Sequence, residues 1–292
     1  MRKNLIFCVA VFFFFALWPT LVWPQNAGDS APAGQDSEPG KGGSPRSMST
    51  NAQAEEIRKR NEKASNMNQL IRKANAAIYA KNWEEAVEPL QQLITMDPGR
   101  WQFYSALGDV QYQLGQFERA LDSYQTGIHV ADNNITVDVK DPATGAAEKR
   151  VGVANMLTSE GNAYLKLDKN KNREAVELYT RAATVDPTTA VAYFNICVSE
   201  YNSGNVQLAL AACDKSTAAD PNKAEAYFIK GWLLNAERET DSSGNDIVPT
   251  GTAEALNKYL ELAPNGPYVS DAKQMLKSLG SKAETSDKGK RK

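Results

Sequence analysis

Two Asp-Pro pairs, Asp186-Pro187 and Asp220-Pro221, bracket a 34-residue stretch holding two helical patterns and one turn, and few folds accommodate such a unit. Val191 to Asn202 and Val206 to Ala218 carry apolar residues at helical spacing, with Ser203-Gly204-Asn205 between them. Helices joined by so short a turn lie antiparallel. The small residues Cys197, Ala209 and Ser216 stand where the two backbones must approach, and Tyr193, Ile196 and Val206 fill the space between them. A pair of helices this small cannot bury both of its faces, so it needs neighbours of its own kind.

Those neighbours are present on both sides. An earlier unit has Leu70, Ala74 and Ala77, then Trp83, Ala86, Leu90 and Leu93, and closes on Asp97-Pro98. The next has Tyr104, Leu107-Gly108, Gly115, Phe117, Ala120 and Tyr124. A third has Leu157, Gly161 and Tyr164, a longer turn at Lys169-Asn170-Lys171-Asn172, then Ala175, Tyr179, Ala182 and Pro187. After the unit described first, a fifth opens with Tyr227, Gly231 and Leu234, breaks at the polar loop 237–251, and completes with Ala255, Tyr259 and Leu262. This pattern resembles the tetratricopeptide repeat family over residues 67–267, about two thirds of the chain. The resemblance implies an all-α, right-handed solenoid of about five helix-turn-helix units.

The pattern lapses after the second unit. Asp132 lacks the proline that should follow it, and residues 133–153 do not fit a repeat. There Ile135, Val137 and Val139 alternate with polar residues, Asp141-Pro142-Ala143-Thr144-Gly145 supplies turn chemistry, and Val151 and Val153 follow. The alternation predicts a short β-hairpin or, as a plainer reading, a loop closing one edge of the solenoid. Past Pro264, Gly266 and Pro267 suit the start of a helix, and Val269, Ala272, Leu276 and Leu279 make one apolar stripe closed by Gly280. Residues 268–280 therefore read as a helix capping the last repeat. The charged tail 281–292 reads as disordered.

Ahead of the repeats, Met1-Arg2-Lys3 precedes an uncharged run from Leu5 to Trp23. A basic start followed by an apolar stretch is an export signal, so residues 1–23 are a signal peptide or a retained signal anchor, and membrane attachment would run through residues 5–23 alone. Either outcome places the remainder outside the cytoplasm, in a bacterial periplasm or anchored in the inner membrane facing it. Cys8 follows Phe7, where a lipid-attachment motif wants a small residue, so it belongs to the signal. Residues 24–49 are rich in Pro, Gly and Ser and read as a flexible tether. Residues 50–66 form helix readily but offer no apolar face beyond Ile57, so they are a lead-in helix or more linker.

Composition argues against several kinds of chemistry. Lys plus Arg (33) nearly balances Asp plus Glu (35), and removing Arg2 and Lys3 with a signal takes the formal charge from −2 to −4. Such a chain has no basic field for nucleic acid. With one histidine, His129, and three cysteines at no metal-ligand spacing, it offers no metal site. Gly40-Lys41 lacks the remaining residues of a phosphate loop, and Asp241, Gly244 and Asp246 lack the order of a calcium loop. His129 reads as a surface residue near the end of a helix, an unsupported candidate for acid-base chemistry, so no catalytic constellation is expected. No cofactor is called for, and the chain reads as a non-enzyme.

What the family resemblance implies instead is recognition. In such solenoids the first helix of each unit lines a concave groove, and the matching positions here are Asn75, Ile78 and Tyr79, then Asp109 and Tyr112, then Thr158 and Asn162. The fourth unit supplies Phe194, Asn195, Val198 and Tyr201, and the fifth Glu225, Phe228 and Trp232. Some members grip a terminal carboxylate with lysine, asparagine and arginine. Asn162 and Asn195 match the asparagines, but Thr158, Glu225 and Ile229 replace the cations, which leaves no charge-assisted bonds for a carboxylate. Tyr112, Asn162, Phe194, Asn195, Tyr201, Phe228 and Trp232 are therefore the candidate contacts for a protein or peptide partner, the asparagines toward backbone and the aromatics supplying apolar area. The implied role is an interaction scaffold, or alternatively a chaperone-like assembly factor for secretion or outer-membrane biogenesis. Cys197 and Cys213 read as small buried residues, though an oxidising compartment would also permit a disulfide if their Cα atoms lie within about 7 Å.

Overall fold

The computed structural model describes residues 50–133, 142–242 and 246–288. Eleven α-helices lie in these stretches. They are α1 (Thr50–Tyr79), α2 (Trp83–Met96), α3 (Trp101–Gln113), α4 (Phe117–Asn133), α5 (Pro142–Leu167), α6 (Asn172–Val185), α7 (Ala190–Asn202), α8 (Val206–Ala219), α9 (Ala224–Ala236), α10 (Thr252–Leu262) and α11 (Val269–Lys288). Consecutive helices pair as α1–α2, α3–α4, α5–α6, α7–α8 and α9–α10, and each pair packs on the next, so the chain is an all-α solenoid of five tetratricopeptide-like units with α11 as its cap.

Local chemistry explains where each helix stops. In the second and fourth pairs the turn places Gly115 (φ 72°) and Gly204 (φ 79°) in the left-handed region, where glycine carries no Cβ penalty. The amides of Gln116 and Asn205 reach back to the Gln111 and Glu200 carbonyls at 2.9 Å, satisfying groups at each helix end. In the first pair Lys81 takes the same conformation (φ 58°). Between pairs, the Asp-Pro signature has a direct cause. The Asp186 carboxylate accepts from the Thr188 amide (3.1 Å) and hydroxyl (2.7 Å), and Asp220 accepts from the Asn222 amide (2.9 Å). The proline that follows cannot continue a helix. At Asp132 no proline follows, and α4 runs on to Asn133.

The core is a chain of alanines and rings between the helices. Ala86, Ala120, Ala175, Ala209 and Ala255, one in each pair, are almost wholly buried and let the helices close, while Tyr124, Tyr179 and Tyr259 fill the interior of the second, third and fifth pairs. Gly108 and Gly161 lie directly against Tyr124 and Tyr179: a Cβ on either glycine would stand 2.5 and 2.6 Å from a ring carbon. Those two glycines are required by close approach.

Three expectations need correction. Of the stretch 133–153, residues 134–141, with Ile135, Val137 and Val139, lie outside the described residues, but 142–153 are helical rather than a β-hairpin or loop. They lengthen α5 at its front end. Pro142 occupies the first helical position, where its missing N–H costs nothing, and Ala146, Ala147, Glu148 and Lys149 are strong helix formers. Val153 is buried while Val151 is 42% exposed, so the two valines point to different faces of a helix. Gly152 makes room for the Trp101 ring, which a Cβ would enter. A short antiparallel ribbon does form, but in the loop 237–251, where Glu239–Thr240 (β1) pairs with Asp246–Ile247 (β2). Finally, α11 continues beyond Gly280 to Lys288, into the segment expected to be a tail. The lead-in 50–66 is one with α1. The apolar run 5–23 and the tether 24–49 lie outside the described residues.

Candidate functional site

The seven candidate contacts divide by burial into two groups. Tyr112, Asn162, Asn195 and Phe228 are between 4% and 8% exposed and belong to the interior. Phe194, Tyr201 and Trp232 are half-buried and keep part of their rings accessible.

The inward group has partners within the chain. Asn162 on α5 accepts the Tyr179 hydroxyl (2.8 Å) and the Asn195 carboxamide N–H (3.0 Å) on one oxygen, tying α5, α6 and α7 together. This arrangement occupies the asparagines that would otherwise face a peptide backbone. Tyr112 packs edge-on against Phe117 at 5.2 Å, and burial pushes its hydroxyl up to about 12. Phe228 is stacked on Tyr268 at 4.3 Å with the rings 8° apart, and Tyr259 lies 5.2 Å away. The Tyr268 amide donates to the Tyr259 hydroxyl (2.8 Å), which holds the entrance of α11 over this cluster. The cap thus supplies the ring that covers Phe228.

One turn earlier in the solenoid the same theme carries a carboxylate. The Tyr124 hydroxyl donates to Asp109 at 2.8 Å, as that of Tyr179 does to Asn162. Burial raises the Asp109 carboxyl to about 6, a rise that the Tyr124 hydrogen bond partly offsets. Nearby, Ser123 donates to Gln111 (2.6 Å), and Gln125 donates to Glu160 (2.8 Å) across α4 and α5. Burial also raises Glu160. Thr158 is 5% exposed and donates to the Ala154 carbonyl, so it too is framework.

What remains accessible at the candidate positions of the fourth and fifth pairs is three rings, Phe194, Tyr201 and Trp232, beside the Lys223–Glu225 ion pair. Burial raises the Tyr201 hydroxyl, while its hydrogen bond with Trp232 works the other way, and that bond links α7 to α9. The ammonium of Lys223 lies 4.8 Å from the centre of the Phe194 ring and 3.4 Å from the Glu225 carboxylate, so Phe194 is flanked by a paired cation. Val191, on the same helix as Phe194, is 43% exposed. At the other end of the solenoid Tyr79 is 79% exposed, with Asn75 and Ile78 half-buried beside it on α1. Phe194, Tyr201 and Trp232 lie at the helix positions that the repeat pattern marks, whereas Lys223 and Tyr268 precede their helices and carry no repeat signal of their own.

No other chemistry assembles in the described residues. Among them, no group of His, Cys, Asp and Glu could hold a metal ion, and no helix is long and apolar enough to cross a membrane. His129 is exposed near the end of α4, where the Asn133 side chain folds over it. Cys197 and Cys213 are joined as a disulfide with Cα atoms 5.2 Å apart, in place of the unpaired burial that residue type suggests.

Comparison with known proteins agrees with this architecture. The family described as Tetratricopeptide repeat matches residues 71–133 and 161–224. Among curated proteins, the chain is 26% identical over 145 residues to the small glutamine-rich tetratricopeptide repeat-containing protein of Dictyostelium discoideum, covering 48% of this chain and 40% of that one. It is 21% identical over 196 residues to a DnaJ homolog subfamily C member 7 homolog of the same organism, covering 65% and 34%. The chain therefore spans well under half the length of either relative. Among solved structures, the MamA RS-1 ArsTM double mutant aligns with a TM-score of 0.50 at 14% identity, over 68% of this chain and 95% of that one. YrrB, described as a TPR protein with an unusual peptide-binding site, aligns at 0.46 and 17% identity, over 69% and 88%. The repeat assignment is supported by the family match, and the likeness to MamA shows the fold.

Proposed function

We propose that the chain is a non-enzymatic interaction scaffold of the bacterial cell envelope, binding an extended or helical segment of a partner protein across the accessible wall made by Val191, Phe194, Tyr201 and Trp232. Tetratricopeptide-like solenoids are protein-interaction scaffolds, and that much follows from the fold. The finer reading rests on one observation: the framework aromatics Tyr124, Tyr179, Tyr259 and Phe228 are buried, whereas Phe194, Tyr201 and Trp232 stay partly open on adjacent first helices. Rings that keep accessible area at low entropic cost are the residues that dominate interface energetics. Lys223 is already paired with Glu225, so the wall favours an apolar or weakly charged segment over an acidic terminus. Export is supported by the Arg2-Lys3 start with its apolar run, and by a buried disulfide of a kind that persists in oxidising compartments.

The test is affinity capture from envelope extract with residues 50–292, compared with a Phe194→Ala, Trp232→Ala double variant whose helix content is checked by circular dichroism. A protein retained by the parent and lost by the folded variant is the expected result. Retention by both would remove the wall from consideration and direct attention to the exposed Tyr79 end.

A further inference from the structure

The disulfide occupies a place that repeats along the chain. In the second pair, Gly108 on the first helix faces Tyr124 on the second; in the third, Gly161 faces Tyr179. In the fourth, Cys197 and Cys213 stand at the corresponding places, and Cys197 and Cys213 have the same separation in sequence as Gly108 and Tyr124. The alanine four residues before each second-helix partner, Ala120, Ala175 or Ala209, fixes the register. Where two pairs close by seating a tyrosine ring on a glycine backbone, this one closes through sulfur.

The rest of the fourth pair gives little to replace that closure. The buried residues of α8 are Ala209, Ala212, Cys213 and Ser216, without a single large side chain, whereas α6 buries Leu178 and Tyr179 and α4 buries Tyr124 and Ile128. The first helix of the pair, α7, carries Val191, Phe194 and Tyr201. Both cysteines are 0% exposed. A reductant can therefore reach the sulfurs only after α7 and α8 have separated.

We propose that the Cys197–Cys213 bond is a redox-dependent latch on the fourth helix pair: reduction loosens α7 and α8 selectively, and with them the wall that carries Phe194 and Tyr201, while the ring-closed second and third pairs stay folded. The wall's role in binding rests on the function proposed above; the latch itself does not. The step is thiol–disulfide exchange with a dithiol. One thiolate of the reductant attacks a cysteine sulfur and the other cysteine leaves as thiolate. The second reductant thiol then closes its own disulfide, so two electrons and two protons pass to the protein.

The test uses the full chain, with hydrogen exchange followed by mass spectrometry before and after dithiothreitol, under conditions where the fold persists. A closed loop of this size constrains the open state enough that amides of α7 and α8 are expected to exchange about a hundredfold faster once reduced, with α3 and α4 unchanged. Without reductant, an alkylating agent is expected to leave Cys197 and Cys213 unlabelled. A second protein, Cys197→Gly with Cys213→Tyr, installs the pair used by the neighbouring units. Its α7 and α8 amides should be insensitive to dithiothreitol and protected above the level of the reduced parent. Equal exchange in the oxidised and reduced parent, labelling of Cys197 or Cys213 before reduction, or equal acceleration in every helix would each overturn the latch. Binding measured on the same samples keeps the two readings apart, since the exchange result stands whether or not a partner is captured.

Discussion

The third and fourth helix pairs are neighbours with the same backbone plan and different means of closure. In the third, Tyr179 sits on Gly161 and its hydroxyl reaches Asn162, which also receives Asn195 from the following pair. In the fourth, a covalent bond replaces the ring, the side-chain hydrogen bond between the helices runs from Ser216 to the Ala190 carbonyl (2.9 Å), and α8 buries only small side chains. The contrast teaches that a repeat fixes the distance between its helices but leaves open what fills it. Ring packing draws its stability from apolar area and contact with the neighbouring unit; the disulfide acts mainly by limiting what the pair can do when open.

The sharpest break of this comparison is Tyr179→Ala. It should lower stability by about 3–5 kcal/mol, as deletion of a buried ring does, measured by urea unfolding with α5 and α6 followed by hydrogen exchange. A loss below about 1 kcal/mol would mean the ring is not what closes the third pair. Next in size is Gly108→Ala, which puts a Cβ 2.5 Å from the Tyr124 ring and should cost about 1–3 kcal/mol in the same measurement. A neutral result would show that the second pair can spread as freely as the small-residue pair formed by α7 and α8.

Asp109 provides a graded test, because it stands where the third pair has Asn162. Its folded-state carboxyl is raised to about 6 from 3.8, so its contribution to stability is fully present below about pH 4 and is lost as pH rises through 6. Asp109→Asn copies the neighbouring arrangement and should remove that step, raising stability at pH 7 by about 1–2 kcal/mol in unfolding curves taken from pH 4 to 7. A pH step that survives in the variant would place its origin elsewhere, with Glu160 the nearest alternative. The smallest effect belongs to the first pair, where Lys81 holds the left-handed turn that Gly115 and Gly204 hold in the second and fourth. Lys81→Gly should add about 0.5 kcal/mol to thermal stability, and a loss would mean that the lysine side chain contributes to the turn.

Most of the architecture was legible because alanine, glycine, tyrosine and Asp-Pro recur at positions set by helix contact. What could not be read lay outside that periodicity. Val151 and Val153 mimic strand alternation, yet the helix-forming residues before them and the Trp101 ring over Gly152 settle α5 as a helix. At the groove, helix position gives the direction of a side chain but says nothing of what covers it. Phe228 was indistinguishable from Phe194 until Tyr268 proved to be stacked on it, and Asn195 from an open amide until Asn162 received it. The cysteines differ again: their type favours burial whether paired or free, and only the 5.2 Å between Cα atoms decides.

Of the 30 residues in α1, the stretch from 53 to 66 is exposed throughout and is laced by surface ion pairs such as Arg58 with Glu55 and Glu62, before Met67 and Leu70 engage the first pair. At 1.5 Å per residue, residues 50–66 form a strut of about 25 Å. A force applied at Thr50 would therefore act through a lever, turning the repeats as well as pulling on them.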